Sequence, residues 1–117
     1  MSDETEMRHL LERYVAAYRA GDSAACAAVF TQDGELRSPF GPAAIGRDAI
    51  ARTHAAWVAE GSAGKRVDLR SWGVSGDLGW CLAAFTEGDQ TGEGESLCVL
   101  QRRPGGGWLI RMCSLTP

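Results

Sequence analysis

Along the first half of the chain, apolar side chains recur at the spacing of an α-helix. Met7, Leu10, Leu11, Tyr14, Val15 and Tyr18 fall at offsets 0, 3, 4, 7, 8 and 11, one stripe of a 3.6-residue turn. Asp3 followed by Glu6 predicts the cap of this helix, and Gly21 its end. Asp22 or Ser23 is placed to cap a second, shorter helix whose Cys26, Val29 and Phe30 share a face. Residues 31–34 then read as a turn, and residues 35–38 as a short strand stopped by Pro39 and the glycine-proline loop behind it. A third helix is predicted over about 46–60, with a stripe of Ile50, Thr53, His54, Trp57 and Val58 and with Gly61 closing it.

Beyond Lys65 the period falls from 3.6 to 2. Val67 and Leu69 alternate with Arg66, Asp68 and Arg70, which predicts a strand over 66–74. Ser75-Gly76-Asp77 is a tight turn, and a second strand follows over 78–87. A turn at 88–92, a strand at 95–102, a loop at 104–107 and a last strand at 108–115 complete the pattern. Strict alternation along the last strand sets Trp108, Ile110, Met112 and Ser114 on one side. Three helices followed by an antiparallel meander predict an α+β fold. The expected form is a cone-shaped half-barrel, a curved antiparallel sheet wrapped around three N-terminal helices. Its apolar mouth is a natural pocket for a small ligand.

Length and charge narrow the function. At 117 residues the chain has room for one domain, 1–117. Twelve basic against fifteen acidic residues leave a net charge of −3, which argues against a nucleic-acid or anionic-membrane surface. No apolar run approaches the ~20 residues of a membrane span. The acidic start lacks the features of a secretory signal, so a cytoplasmic location is expected. Cys26, Cys81, Cys98 and Cys113 match no zinc spacing and are expected as buried thiols. Nothing in the sequence indicates a metal or an organic cofactor.

Several local marks resemble one superfamily. Arg13-Tyr14-Val15-Ala16-Ala17 running into Ala20-Gly21-Asp22, and Phe30 through Asp33-Gly34, resemble the end of its first helix and a following turn. Gly46-Arg47-Asp48-Ala49-Ile50, Ser75-Gly76-Asp77 and Gly107-Trp108-Leu109-Ile110 resemble its third-helix start, a hairpin and its final strand. Together, in this order, they resemble the nuclear transport factor 2-like superfamily and its SnoaL-like, ketosteroid isomerase-like branch. That scaffold carries isomerases, cyclases, hydrolases, dehydratases and non-enzymes, so the resemblance implies a fold more firmly than a reaction.

The isomerase chemistry needs a phenol, a protonated carboxylic acid and a carboxylate base. The resemblance puts Tyr14 at the phenol position. The base position, an Asp before a proline, is here Ser38-Pro39, and a hydroxyl is too weakly basic to replace it. The second acid falls at Val99 or Cys98, depending on register, and neither is acidic. Steroid isomerisation is therefore not expected. His54, on an apolar helical stripe, is the telling residue. It either touches Tyr14 and polarises it or moves the proton, or it is a core histidine satisfied by a backbone carbonyl. His9 lies off the stripe and is expected in solvent.

Tyr18, Phe30, Ser38, Phe40, Trp57, Val99 and Met112 are the expected pocket-lining residues. Ser38 with His54 lacks the setting of a nucleophile pair. The epoxide hydrolase arrangement on this scaffold needs an Asp-Arg-Asp cluster, and the alternation around Asp68, Arg70 and Arg111 does not bring these groups together inside. Glu35, Glu87, Glu93 and Glu95 are possible replacement bases, with solvated turn charges as their default reading. Trp72 and Trp80 are placed to pack on the outer sheet face, which in this superfamily usually pairs two subunits. The readings are acid–base chemistry on a small, largely apolar carbonyl compound, with Tyr14 donating to an oxyanion, or a non-catalytic binding or association module. A homodimer through the outer sheet face fits either.

Overall fold

In a computed structural model of the chain, residues 2–87 and 94–117 are described. The predicted turn at 88–92, and Glu93 with it, lie outside the described residues. Three helices, α1 (Asp3–Arg19), α2 (Ser23–Ala28) and α3 (Arg47–Ala59), lie against one six-stranded sheet. Its strands are β1 (Phe30–Ser38), β2 (Gly41–Ile45), β3 (Lys65–Ser75), β4 (Leu78–Glu87), β5 (Gly94–Arg102) and β6 (Trp108–Thr116). They run in the order β2-β1-β6-β5-β4-β3, so the open, curved α+β sheet expected from the pattern is present. Four of its five pairings are antiparallel, and β1 lies parallel to β6.

Local chemistry sets the helix ends. Ser2, rather than Asp3, caps α1, its side chain accepting from the amide of Thr5 at 3.2 Å. That leaves Glu6 free to accept from the Gly107 amide at 3.1 Å, which ties the helix to the loop before β6. Asp22 caps α2 through the Ala25 amide at 3.0 Å. Gly46, with φ of 87°, takes the left-handed backbone needed to enter α3. Two elements depart from the sequence expectation. Residues 31–34 belong to β1, because its pairing with β6 resumes after an irregularity between Phe30 and Glu35. The glycine-proline segment forms β2, an edge strand where proline is tolerated.

The core lies between the helices and the concave face of the sheet. Met7 and Leu10 of α1 and Ile50 of α3 meet Leu36, Cys81, Cys98, Leu100, Trp108, Ile110 and Cys113, all buried. Two β-bulges decide which side chains reach it. On β3 the pairing passes from Leu69–Ala83 to Ser71–Leu82, leaving Arg70 as the extra residue. On β6 it passes from Met112–Val99 to Ile110–Leu100, leaving Arg111 extra. An extra residue inverts the alternation beyond it. Hence Trp108 and Ile110 face inward together with Cys113, whereas Met112 and Ser114 face outward. Trp72 likewise turns to the helix side, where its indole N–H donates to Glu4 at 3.2 Å, and only Trp80 stays on the outer face. Among the described residues no helix is long and apolar enough to cross a membrane.

Candidate functional site

Tyr14 and His54 come from different helices, 40 residues apart, and meet in the interior. The Tyr14 hydroxyl and His54 Nε2 lie 2.8 Å apart. On the other side of the ring, Nδ1 is 2.9 Å from the Ile50 carbonyl, one turn back along α3. A carbonyl oxygen only accepts, so Nδ1 carries the proton and Nε2 of the neutral ring is the acceptor. The Tyr14 hydroxyl therefore donates to His54. The two sequence readings of His54, partner of Tyr14 and core histidine held by a carbonyl, describe its two ring nitrogens.

Four aromatic rings enclose the imidazole. Trp57, Tyr14, Tyr18 and Phe30 have ring centroids 5.1, 5.5, 6.1 and 6.4 Å from that of His54. His54 has no exposed surface. Desolvation pushes its pKa down to about 4, aided by the charge of Lys65 and opposed by the Ile50 bond. Burial also raises the Tyr14 hydroxyl well above the ordinary phenol value, with nearby Cys26 and Cys113 acting in the same direction. Near neutral pH the pair is thus phenol and neutral imidazole, with one shared proton held on oxygen.

Tyr14 borders a narrow cavity of about 40 Å³ between α1 and the concave sheet. Leu11, Phe30, Leu36, Phe85, Cys98 and Ile110 give it apolar walls, and Lys65 and Ser96 are polar groups on its lining. It has room for a few waters and is far below the roughly 300–1,000 Å³ of a drug-sized pocket. Larger clefts, of about 300, 520 and 630 Å³, open at the surface where α1 meets α2, β3 and the loop before β6, and include neither Tyr14 nor His54.

A second polar cluster borders the same space. Lys65, the first residue of β3, is 5% exposed and its Nζ lies 3.1 Å from Glu87 Oε1. The Tyr18 hydroxyl donates to the same oxygen at 3.2 Å. The ammonium also sits over the rings of Tyr18 and Phe85, 4.5 and 4.7 Å from their centroids. Desolvation lowers the pKa of Lys65, and Glu87 opposes the shift. The sequence reading held Glu87 as a possible replacement base with a solvated charge as its default, and did not single out Lys65. Their pairing depends on the β3–β4 register, which sets Lys65 opposite Glu87.

The other expected lining residues divide. Phe30 lines the cavity, while Tyr18 and Trp57 pack around His54. Ser38 is spent in the β1–β2 turn, where its hydroxyl accepts from the Phe40 amide at 3.2 Å. Phe40 is 62% exposed, with its ring edge-on to Trp57. Val99 and Met112 are corrected outright. They pair with each other on the outer face, and Cys98, with Ser96, faces the cavity from β5. Asp68 and Arg70 lie exposed on β3, and Arg111 pairs with Asp33 and Glu35, so these groups do not converge. Glu35 is further held by Arg37 at 3.2 Å, Glu95 is exposed, and His9 is exposed. The four cysteines are buried and free, with Cys98 and Cys113 Sγ atoms 3.1 Å apart. Among the described residues no three His, Cys, Asp or Glu side chains group as metal ligands.

The fold has solved counterparts. A domain of unknown function with a cystatin-like fold from Nostoc punctiforme superposes with a TM-score of 0.79 at 22% identity, covering 97% of this chain and 76% of the other. A nuclear transport factor 2-like protein from Novosphingobium aromaticivorans gives 0.71 at 25% identity, covering 97% and 80%. A ketosteroid isomerase-like protein from Erwinia carotovora atroseptica gives 0.73 at 21% identity, covering 94% of each chain. No curated protein matches the chain. The SnoaL-like domain model matches residues 11–115. With nearly its whole length inside that match, and with the helices and curved sheet of its solved counterparts, the chain belongs to the SnoaL-like domain family.

Proposed function

We propose that the protein binds a small, largely apolar carbonyl compound in the cavity beside Tyr14 and moves a proton on it through Tyr14 and His54. The observation that carries this reading is the 2.8 Å contact between the phenol and a neutral, fully buried imidazole at the edge of an apolar space. Buried ionisable groups with displaced pKa values gather at sites of chemistry. The direction of the bond refines the roles. With its proton given to His54, Tyr14 offers lone pairs to the cavity, so its oxygen accepts a substrate proton as its own passes to Nε2. Acting instead as donor to an oxyanion, Tyr14 must first leave His54, at a cost of about 1 kcal/mol. The small volume favours a compound of few heavy atoms over a steroid. Four buried free thiols fit a reducing, cytoplasmic setting.

A thermal-shift screen with short ketones and aldehydes tests the reading. A ligand at a hundred times its Kd adds about 2.7 kcal/mol of stability, and this gain is expected to be lost in Tyr14→Phe. Equal shifts in the two proteins, or none with any carbonyl compound, count against it.

An association role has its own support. Leu78, Trp80, Leu97 and Val99 remain 54%, 43%, 51% and 39% exposed, and all lie on the outer sheet face. Contiguous exposed apolar surface of this kind marks contact sites. A second copy of the chain, packed face to face by a two-fold, is the occupant we assign to it.

A further inference from the structure

The chain contains eleven arginines and one lysine. No arginine is buried, and the single lysine is. A guanidinium keeps its proton throughout, whereas a desolvated ammonium gives its proton up readily and leaves a nucleophilic amine. The one basic residue able to become an amine is therefore the one that lines the cavity beside Tyr14.

We propose that Lys65 forms an imine with the carbonyl compound bound in this cavity. The surroundings fit each step. Glu87, 3.1 Å away, takes a proton from the ammonium and frees its lone pair. Nζ bonds to the carbonyl carbon as the π pair moves to oxygen, and a second nitrogen proton passes to that oxygen. Glu87 then returns its proton to the hydroxyl, which leaves as water while the nitrogen lone pair closes the C=N bond. Net, an ammonium and a carbonyl become a protonated imine and water, with no oxidant or reductant. Tyr18, donating to Glu87 at 3.2 Å, and the rings of Tyr18 and Phe85 position the amine. Arg19 fixes the backbone beneath it, its Nε donating to the Lys65 carbonyl at 2.8 Å. The cationic imine acidifies the neighbouring C–H, the proton that Tyr14 and His54 are placed to move. This inference rests on the carbonyl reading of the cavity and supplies its electron sink.

Because Lys65 is the only side-chain amine, the test is direct. The full chain is treated with propanal and cyanoborohydride, and alkylation of Lys65 and of the α-amino group is followed by mass spectrometry. The ratio of Lys65 to α-amino labelling is expected to be at least about tenfold higher in the folded chain than in denaturant, as for an amine with a displaced pKa. A ratio unchanged or lowered by folding overturns the proposal and leaves Lys65 as a structural ion pair. Lys65→Arg provides the unlabelled control. Tyr14→Phe separates the two ideas, since Lys65 is expected to label in that variant too. Labelling without any Tyr14-dependent ligand shift keeps the imine and removes the proton relay; the reverse removes the imine alone.

Discussion

At the scale of single residues, burial governs the chemistry. His54 is held neutral because burial among aromatic rings desolvates its charged form and the charge of Lys65 adds to this, while the Ile50 carbonyl offsets it only in part. The linkage follows from the displaced pKa. In the unfolded chain His54 takes a proton near its ordinary value of 6.5, whereas in the folded chain it does so only near 4. The unfolded state binds more protons between these values, so stability falls as pH falls through this window. The shift corresponds to about 3 kcal/mol. Urea denaturation from pH 7 to pH 4 is expected to show this loss in the native protein and to show it reduced by that amount in His54→Gln. Lys65 and Glu87 carry a second residue-scale prediction. Glu87→Gln leaves the buried ammonium without its carboxylate and should cost about 2 kcal/mol in the same measurement. That is less than the 3–5 kcal/mol of a fully buried pair, because Glu87 keeps 29% of its side chain exposed.

Among the elements, the two bulges do the most to place side chains. Without the extra Arg111, the alternation from Trp108 would carry Met112 inward and Cys113 out; the bulge reverses them. Met112→Gln is therefore expected to cost under about 1 kcal/mol, whereas Cys113→Gln, which buries an amide with no partner, should cost about 3 kcal/mol or more. Equal losses by chemical denaturation contradict the register. This is also where the sequence was hardest to read. Periods of 3.6 and 2 located all three helices and the four long strands, because each has one face in water and one in the core. A bulge leaves no such mark, since one inserted residue changes neither composition nor period on either side of it. Trp72 and Met112 were misplaced for that reason, whereas Val99 lies on β5, whose regular alternation turns Cys98 inward and Val99 outward. Tyr14 and His54 were legible as polar-tipped residues on apolar stripes. Glu87 was legible only as one possible base among several, and its pairing with Lys65 was not, because a charge at a strand end looks solvated until the strands are paired.

At the scale of the whole molecule, a sheet that closes over helices on one side leaves the other side bare. Trp80 on that bare face lies so close over Gly73 that a Cβ there would meet its indole, which explains the glycine. A dimer through this face is expected to sediment at twice the 12.5 kDa of the chain, and Val99→Glu to restore the single mass without unfolding it. A 12.5 kDa species at micromolar concentration in the unaltered protein argues against it. The concave side carries the functional account, and its central claim is a fully buried, neutral His54 that accepts from Tyr14 beside the cavity. The most direct measurement is a pH titration of the imidazole nitrogens by NMR. The account predicts that His54 keeps its proton on Nδ1 and stays neutral until about pH 4. A His54 ring that takes up a proton near its ordinary value of 6.5, or carries its neutral-state proton on Nε2, would contradict it.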